Sequence, residues 1–403
     1  MLKDLSEVRL EAPTEEREEA VQSGGAHYAE SLPVEYQPSP EYQELFRQAL
    51  AASARRVALA VGTVAETLVR ERGRDLVLAS LARAGTPVGI LIRRWLAFAH
   101  GLDTRHYTIS IVRGRGIDQV ALRHLAAHHD PAAVVFVDGW TGKGAITREL
   151  AAAVEGTPFN PDLAVLADPG RCVRTFGTRE DYLIPSACLN STVSGLVSRT
   201  VLRADLIGPD EFHGAKFYRE LACADVSSDF LAVVTGHFTA VRAEAAAARL
   251  AAADDDRTPD WAGWAAVERI SAEYGIGDVN LVKPGVGETT RVMLRRVPWR
   301  VLARRGAGPD LDHVRLLADQ RGVPVEEVDE LPYSCVGLIH PRFSRGATGA
   351  EGTAVRAAAG AAGTARSAVP GVAVGAAGSA VTGVAVGAAG RVVTGAAVNA
   401  EDV

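Results

Sequence analysis

Hydrophobic positions in the first half of the chain fall into short, mostly apolar runs. Four such runs cover residues 76–82, 107–112, 132–138 and 163–167, and each is followed by a polar residue or a glycine-containing turn. Apolar runs of this length are typical of strands that are buried on both faces, as in a parallel sheet. Helices are predicted between the runs, so the pattern predicts an α/β domain built on a parallel sheet.

Composition divides the chain into four segments. Residues 1–40 form an acidic and polar N-terminal extension, and the core α/β domain at 41–255 opens with a predicted helix over 40–72. The run Asp254-Asp-Asp-Arg-Thr-Pro259 has the charge and the proline of a solvated linker. A smaller α/β domain is predicted at 261–345. The remainder, 346–403, is rich in Ala, Gly and Val and is expected to be a disordered, low-complexity tail.

Length and charge exclude few classes of protein. With 403 residues and a net charge of −6, the chain is long enough for two domains and gives no overall signal for nucleic acid or membrane. No apolar segment reaches transmembrane length, and residues 1–7 lack a signal-peptide core. The four cysteines are widely spaced without metal-type pairing, which predicts a reduced, cytoplasmic location. A homo-oligomer is left open.

The most informative polar sequence is Asp138-Gly-Trp-Thr-Gly-Lys-Gly-Ala145, which joins a predicted strand to a predicted helix. Unpaired backbone N–H groups and the helix dipole favour an anion at such a helix N-terminus. Asp138 lies at the strand tip, where it could hold ribose hydroxyls or hydrated Mg²⁺. The predicted phosphate-binding residues of this turn are Thr141, Gly142, Lys143, Gly144 and Ala145. The alternative is an ordinary glycine-rich connection.

Two further turns follow predicted strands. Arg83-Ala-Gly85-Thr86 comes after the first run, and Gly85 permits a tight backbone turn. Arg113-Gly-Arg115-Gly comes after the second run and suits a loop that closes over a polyphosphate, although a solvated surface turn is the alternative. Carboxyl ends of parallel strands meet at one edge of a sheet, where open α/β sheets bind ligands.

These turns resemble the loops of type I phosphoribosyltransferases. The resemblance implies that Arg83, Ala84, Gly85 and Thr86 hold pyrophosphate, and that 141–145 hold the 5-phosphate of phosphoribosyl pyrophosphate (PRPP). It also implies Mg²⁺ as cofactor, with Asp138 as its ligand. The family usually has two adjacent acids where this chain has Asp138-Gly139-Trp140.

A polar region follows the fourth run. Asp168 stands at its tip and joins Arg83 and Asp138 as a predicted catalytic residue. Hydroxyl, amide, thiol and basic side chains beyond it suit contacts with the acceptor of the reaction, although helix capping accounts for part of them. The predicted acceptor-binding residues are Ser186, Cys188, Asn190, Ser194, Arg199, His213 and Lys216.

The smaller domain contains the turn Gly285-Val-Gly-Glu-Thr-Thr-Arg291, and its order of elements resembles the Pelota-type RNA-binding domain. That resemblance implies binding of structured RNA. Lys283 and Arg291 would contact phosphates, and Glu288 could accept from a base edge. The predicted RNA-binding residues are Lys283, Gly285, Glu288, Thr289 and Arg291. A local basic cluster is also predicted here, for which a solvated face is the alternative; it consists of Arg291, Arg295, Arg296, Arg300, Arg304 and Arg305.

Long strings of the chain resemble the bacterial StiP family, whose members are named cysteine proteases and are associated with tellurium resistance and stress. They include residues 27–35, 106–118, 137–146 and 331–339. Three hypotheses follow. The favoured one is a phosphoribosyltransferase-like enzyme that acts with Mg²⁺ on PRPP or a ribose-5-phosphate nucleotide. The second is a cysteine protease, with Cys188 as nucleophile and His213 as base. The third is a non-catalytic nucleotide or RNA sensor.

Overall fold

The structure is a computed structural model and describes residues 1–12, 27, 29–33, 40–188, 192–254, 256–295 and 298–339. These residues belong to one compact unit. Asn190, the basic residue Arg296 and the tail predicted at 346–403 lie outside the described ranges. Among the helices described, none is long and apolar enough to cross a membrane.

A six-stranded sheet forms the centre of the larger domain. Its strands are β4 (Val77–Ala82), β5 (Arg105–Val112), β6 (Gly116–Ile117), β7 (Val134–Trp140), β8 (Leu163–Ala167) and β9 (Thr175–Thr178). Their spatial order is β6-β5-β4-β7-β8-β9, and every neighbouring pair is parallel except β5 with β6. The predicted parallel sheet is confirmed.

Helices cover both faces of this sheet, which explains the continuous apolar runs. The helices are α1 (Pro40–Arg72), α2 (Gly85–His100), α3 (Gln119–His128), α4 (Ala145–Val154), α5 (Ser227–Gly236) and α6 (Phe238–Asp254). Along β4, Leu78 packs into the apolar cluster that contains α1, α2, α5 and α6, whereas Val77 and Ala79 pack with α3 and α4. Successive side chains of one strand are therefore buried on opposite faces.

Three short strands near the N-terminus precede the sheet: β1 (Lys3–Asp4), β2 (Glu11–Ala12) and β3 (Leu32–Pro33). The strand β1 pairs in parallel with β10 (Gly214–Ala215), and β2 pairs with β3. The apolar cluster of Leu5, Leu10, Leu32, Val201 and Ile207 holds these strands together.

A four-stranded sheet forms the smaller C-terminal domain, in the order β11-β14-β12-β13. Its elements are α7 (Ala262–Glu273), β11 (Val282–Pro284), α8 (Val286–Arg295), β12 (Pro298–Arg304), α9 (Asp312–Gln320), β13 (Val325–Val328) and β14 (Cys335–Ile339). Apolar side chains of α8, α9 and β14, among them Met293, Val314 and Cys335, belong to the same buried cluster as α1. The hydrophobic core therefore runs continuously from the larger domain into the smaller one.

Candidate functional site

Four strands of the large sheet end at the edge that faces the C-terminal domain. The residues that follow β4, β5, β7 and β8 are Arg83, Arg113, Thr141 and Asp168. Two adjoining cavities lie there, and Trp140 and Glu288 line both of them. The sequence therefore places the expected turns at one edge, but residues of the C-terminal domain complete the site.

The first cavity, called the apolar cavity below, has a volume of about 200 Å³. Its walls are mainly apolar, and α8 contributes Gly287, Glu288 and Arg291. The remaining lining residues are Arg83, Ala84, Pro87, Gly139, Trp140, Tyr182, Ile184, Ser186, Ala187, Val193 and Ser194. Residues that the sequence assigned to three different ligands thus line one cavity. Arg83 and Ala84 were assigned to pyrophosphate, Ser186 and Ser194 to the acceptor, and Arg291 to RNA.

The second cavity, called the basic cavity below, has a volume of about 210 Å³. The turn before α4 forms one wall, and Lys283 and Pro284 of the C-terminal domain form another. The complete lining is Arg113, Asp138, Trp140, Thr141, Gly142, Lys143, Gly144, Ala145, Ile146, Lys283, Pro284 and Glu288. The predicted phosphate-binding turn is therefore in contact with a predicted RNA-binding residue.

Asp138 and Lys143 have strongly shifted pKa values in the basic cavity. Burial raises the pKa of Asp138 to about 7, although its Oδ1 accepts a hydrogen bond of 2.8 Å from the Gly139 N–H. Burial, and then the neighbouring charges of Lys283 and Arg113, lower the pKa of Lys143 to about 7. The Lys143 ammonium donates to the Val279 carbonyl at 2.8 Å, so this side chain bridges the two domains.

Asp168 is fully buried and holds the loop that follows β8. Its carboxylate accepts hydrogen bonds from the backbone N–H groups of Cys172 and Val173, from the Thr141 hydroxyl and from the Arg179 guanidinium. Burial raises the pKa of Asp168, and these donors act in the opposite direction. These hydrogen bonds fix the conformation of the loop after β8. A catalytic role for Asp168 stays an untested prediction.

Cys188 and His213 have different surroundings. Cys188 is 1% exposed and packs in the large apolar cluster, directly after Ser186 and Ala187 of the apolar cavity. His213 lies beside β10, where its Nδ1 is 2.8 Å from the Ser110 hydroxyl and its backbone N–H donates to Asp118. Burial lowers the pKa of His213. His213 lines neither cavity.

Other predicted residues are held by the protein itself. Arg83 donates to the Val197 carbonyl at 3.1 Å, and Thr86 lies 3.4 Å from the Thr108 hydroxyl. Arg115 pairs with Glu30, and Lys216 pairs with Glu11 of the N-terminal segment. Arg199 is partly buried. The described Asp, Glu, His and Cys residues include no group of three that could hold a metal ion.

Asp181 is the contact between the domains that the sequence did not reveal. Its buried carboxylate accepts hydrogen bonds from the N–H groups of Val286 at 2.9 Å and Ser334 at 2.7 Å. Burial raises its pKa to about 6. Gly285 has a φ of +87°, and a Cβ there would lie 2.8 Å from the Trp140 ring. Asp181 lies in a loop and Trp140 at the end of β7, and neither position gave a signal for partners more than a hundred residues away.

Three arginines of the basic cluster expected in the C-terminal domain form ion pairs. Ion pairs join Arg291 to Glu288, Arg300 to Glu326, and Arg305 to both Glu327 and Asp329. The strand β13 and the residue after it supply three of these carboxylates. Each of these three arginines therefore has an acidic partner in the folded chain, and binding of RNA by the cluster stays a prediction.

Comparison with known proteins identifies both domains. Residues 1–235 match the family described as "Tellurite-like stress resistance cysteine protease StiP". Residues 261–341 match the Pelota RNA-binding domain. A relative named "Cysteine protease StiP", from Acinetobacter baylyi, is 35% identical over 342 residues, which cover 81% of this chain and 88% of the relative.

These matches correct the favoured functional hypothesis. The family and the relative are named as cysteine proteases, so the phosphoribosyltransferase function is wrong, and PRPP and Mg²⁺ conflict with the match. The resemblance of the loops concerns their sequences, and similar glycine-rich loops serve different chemistries. The match over more than half of the chain and the similarity to the Acinetobacter protein show that the chain belongs to the StiP family of enzymes.

Proposed function

We propose that the protein is a cysteine protease that binds a peptide in the apolar cavity and attacks it with Cys188. The observation that carries the proposal is the position of Cys188, directly after two residues of the cavity wall. The N–H of Cys188 donates to the Pro185 carbonyl at 2.9 Å, which fixes the thiol at the end of a short 3₁₀ turn.

Cys172, Cys188 and Cys335 are all buried, so burial does not distinguish them; Cys188 differs by its position beside the apolar cavity, whose charges must stabilise its thiolate. Burial raises the pKa of Cys172 to about 12 and raises the pKa of Cys335 further, so both remain protonated near neutral pH. The thiolate is the reactive form of cysteine, and a raised pKa removes it. Cys223 is exposed but lies on another turn and lines neither cavity.

The walls of the apolar cavity offer groups for a peptide and for a thiolate. The guanidinium groups of Arg83 and Arg291 favour a nearby anion, because opposite charge stabilises the ionised form. The buried hydroxyl of Tyr182 has no hydrogen-bond partner among the described residues, and a substrate carbonyl can supply one. Two hydroxyls, those of Ser186 and Ser194, face the same space.

The chemistry is that of acyl transfer to sulfur. The Cys188 sulfur forms a bond to the substrate carbonyl carbon, the C–N bond breaks, and the leaving amine takes a proton. Water then hydrolyses the thioester and regenerates the thiol. The proton that the thiol loses passes to the leaving amine. His213, the base predicted from the sequence, lies against Ser110 and Asp118 and lines neither cavity, so its role as base stays a prediction. Because Cys188 is 1% exposed, substrate binding requires a local rearrangement that exposes its sulfur.

Matched cysteine variants test this proposal. The full chain is incubated with a peptide library, and new termini are identified by mass spectrometry. Cys188→Ala should lower cleavage on the order of 10⁴-fold, because the nucleophile is lost. Cys223→Ala should cleave at the wild-type rate, and wild-type activity in His213→Gln would exclude His213 as the base. Thermal unfolding of each variant checks that the fold is intact. Wild-type cleavage by Cys188→Ala would refute the assignment.

We also infer that the C-terminal domain binds structured RNA, because residues 261–341 match an RNA-binding domain. The predicted contacts face the domain junction: Lys283, Glu288 and Arg291 line the cavities, Gly285 packs on Trp140, and Thr289 is buried. RNA would therefore reach them when the domains separate.

The domain junction provides the test of RNA binding. Asp181→Ala removes the acceptor for two N–H groups of the C-terminal domain and should raise RNA affinity in a filter-binding assay at low salt. Asp205→Ala, which removes an exposed pair with Arg203, is the control and should not change it. Equal affinity in the two variants would contradict this route to the RNA.

A further inference from the structure

The side chains that line the two cavities carry more positive than negative charge. Cleavage of a peptide bond does not by itself require this excess. Five basic side chains line them, against the two carboxylates Asp138 and Glu288. The whole chain has the opposite balance, with a net charge of −6. The basic residues are Arg83, Arg113, Lys143, Lys283 and Arg291. Clefts lined by one sign of charge concentrate ligands of the other sign.

Three of these cations lie in the basic cavity and repel one another. The charges of Lys283 and Arg113 both act on Lys143, which is itself buried. The helix α4 adds to this field, because it begins after Gly144 without a side-chain cap for its first N–H groups. A bound anion would relieve the repulsion and would keep Lys143 protonated.

The apolar cavity differs in character from its neighbour. Trp140, Tyr182, Ile184 and Val193 give it walls that suit an uncharged side chain. Trp140 and Glu288 line both cavities, so a ligand that occupies one lies beside the other. A ligand that fits both has an apolar group and an anionic group close together.

We propose that the basic cavity is a specificity subsite for a carboxylate of the substrate, which binds beside an apolar residue held in the apolar cavity. The inference rests on the proposed protease function and names its substrate class as acidic peptides. The carboxylate belongs either to an Asp or Glu side chain or to a peptide C-terminus. Arg113, Lys143 and Lys283 are its binding groups.

Calorimetry with three capped peptides tests the subsite, in the wild-type chain and in Cys188→Ala. The first peptide carries one leucine and two glutamates, and the second has glutamines in place of the glutamates. The third is the glutamine peptide with a free C-terminal carboxylate. The glutamate peptide should bind about tenfold more tightly than the glutamine peptide, because a charge-assisted hydrogen bond is lost in the latter. If the third peptide binds as tightly as the first, the subsite recognises the C-terminal carboxylate of a peptide.

Variants of two lysines assign the preference to the cavity. Lys283→Gln should reduce the tenfold preference to less than threefold. Lys3→Gln, which removes a surface pair with Glu211, should leave it unchanged. Binding of the glutamate peptide at pH 7 should also take up protons, because an anion in the basic cavity raises the pKa values of both Lys143 and Asp138, each about 7 in the free protein. Measurements in buffers of different ionisation enthalpy report this uptake.

The outcomes separate the subsite from the protease proposal. Tight binding of the glutamate peptide without cleavage would support the subsite and count against the protease. Cleavage with equal affinity for the charged and uncharged peptides would overturn the subsite alone. An unchanged preference in Lys283→Gln would also overturn it. Binding of a short single-stranded oligonucleotide, with no binding of any peptide, would assign the cavity to nucleic acid.

Discussion

A single methyl group at Gly285 tests the contact between the two domains. The φ of +87° at this residue lies in the left-handed region, so Gly285→Ala should cost about 1–2 kcal/mol in backbone energy. Its Cβ would lie 2.8 Å from a ring carbon of Trp140 and 3.0 Å from the Asp181 carboxylate. Overpacking of this kind adds about 1–3 kcal/mol.

The chain offers a matched control for the backbone contribution. Gly275 has a φ of +62°, and no atom lies within 4 Å of the Cβ that an alanine would add. Gly275→Ala should therefore cost only the backbone energy, about 1–2 kcal/mol. The difference between the two variants, about 1–3 kcal/mol, measures the packing of the turn against Trp140 and Asp181.

Urea unfolding followed by tryptophan fluorescence measures both variants, with the free energy of unfolding obtained by linear extrapolation. Trp140 lies at the junction, and its fluorescence is measured together with that of the four other tryptophans of the chain. Equal free energies of unfolding for Gly285→Ala and Gly275→Ala would refute the reasoning, because the turn would then not be pressed against the larger domain.

Three further measurements examine single groups of the site. The free energy of unfolding should fall by up to about 3 kcal/mol as the pH rises from about 4 to about 6. The reason is that the pKa of Asp181 is raised to about 6 in the folded chain, so folded Asp181 holds a proton that the unfolded chain has lost. Asp181→Asn should remove this part of the pH dependence, and an unchanged profile would exclude Asp181 as its source. Thr141→Val should destabilise the chain by about 1.5–3 kcal/mol in urea unfolding, because the hydrogen bond to the buried Asp168 is lost. A change below about 0.5 kcal/mol would contradict the assignment of that bond. Iodoacetamide should alkylate Cys223 in the native protein while Cys172 stays unmodified, as peptide mass spectrometry will show; rapid labelling of Cys172 would disprove its burial.

The central sheet was predictable from the sequence because burial on two faces leaves a local signal. Each strand of the sheet centre is a short apolar run, and the residue after each run necessarily lies at the carboxyl edge. The location of Asp138, Thr141 and Arg83 at one edge follows from this rule alone.

The junction was not predictable, because its contacts join distant parts of the chain. The bond from Ser334 to Asp181 spans 153 residues, and neither residue belongs to a periodic pattern. The neutralisation of Arg300 by Glu326 depends on the pairing of β12 with β13, which single-sequence patterns do not specify. The reaction could not be predicted from the sequence for a different reason. A glycine-rich turn before a helix attracts anions whatever the reaction, so the turn before α4 does not identify a phosphoribosyltransferase.

The continuous core has a consequence for how the protein is made. The apolar side chains of α1, α5 and α6 share a buried cluster with Met293, Val314 and Cys335. A ribosome that adds about 5–20 residues per second needs roughly 5–20 s to pass from the end of α6 to β14. During that interval the larger domain presents uncovered apolar surface to the cell. The nascent chain is therefore a target for chaperones, and a message truncated near residue 255 yields an aggregation-prone product.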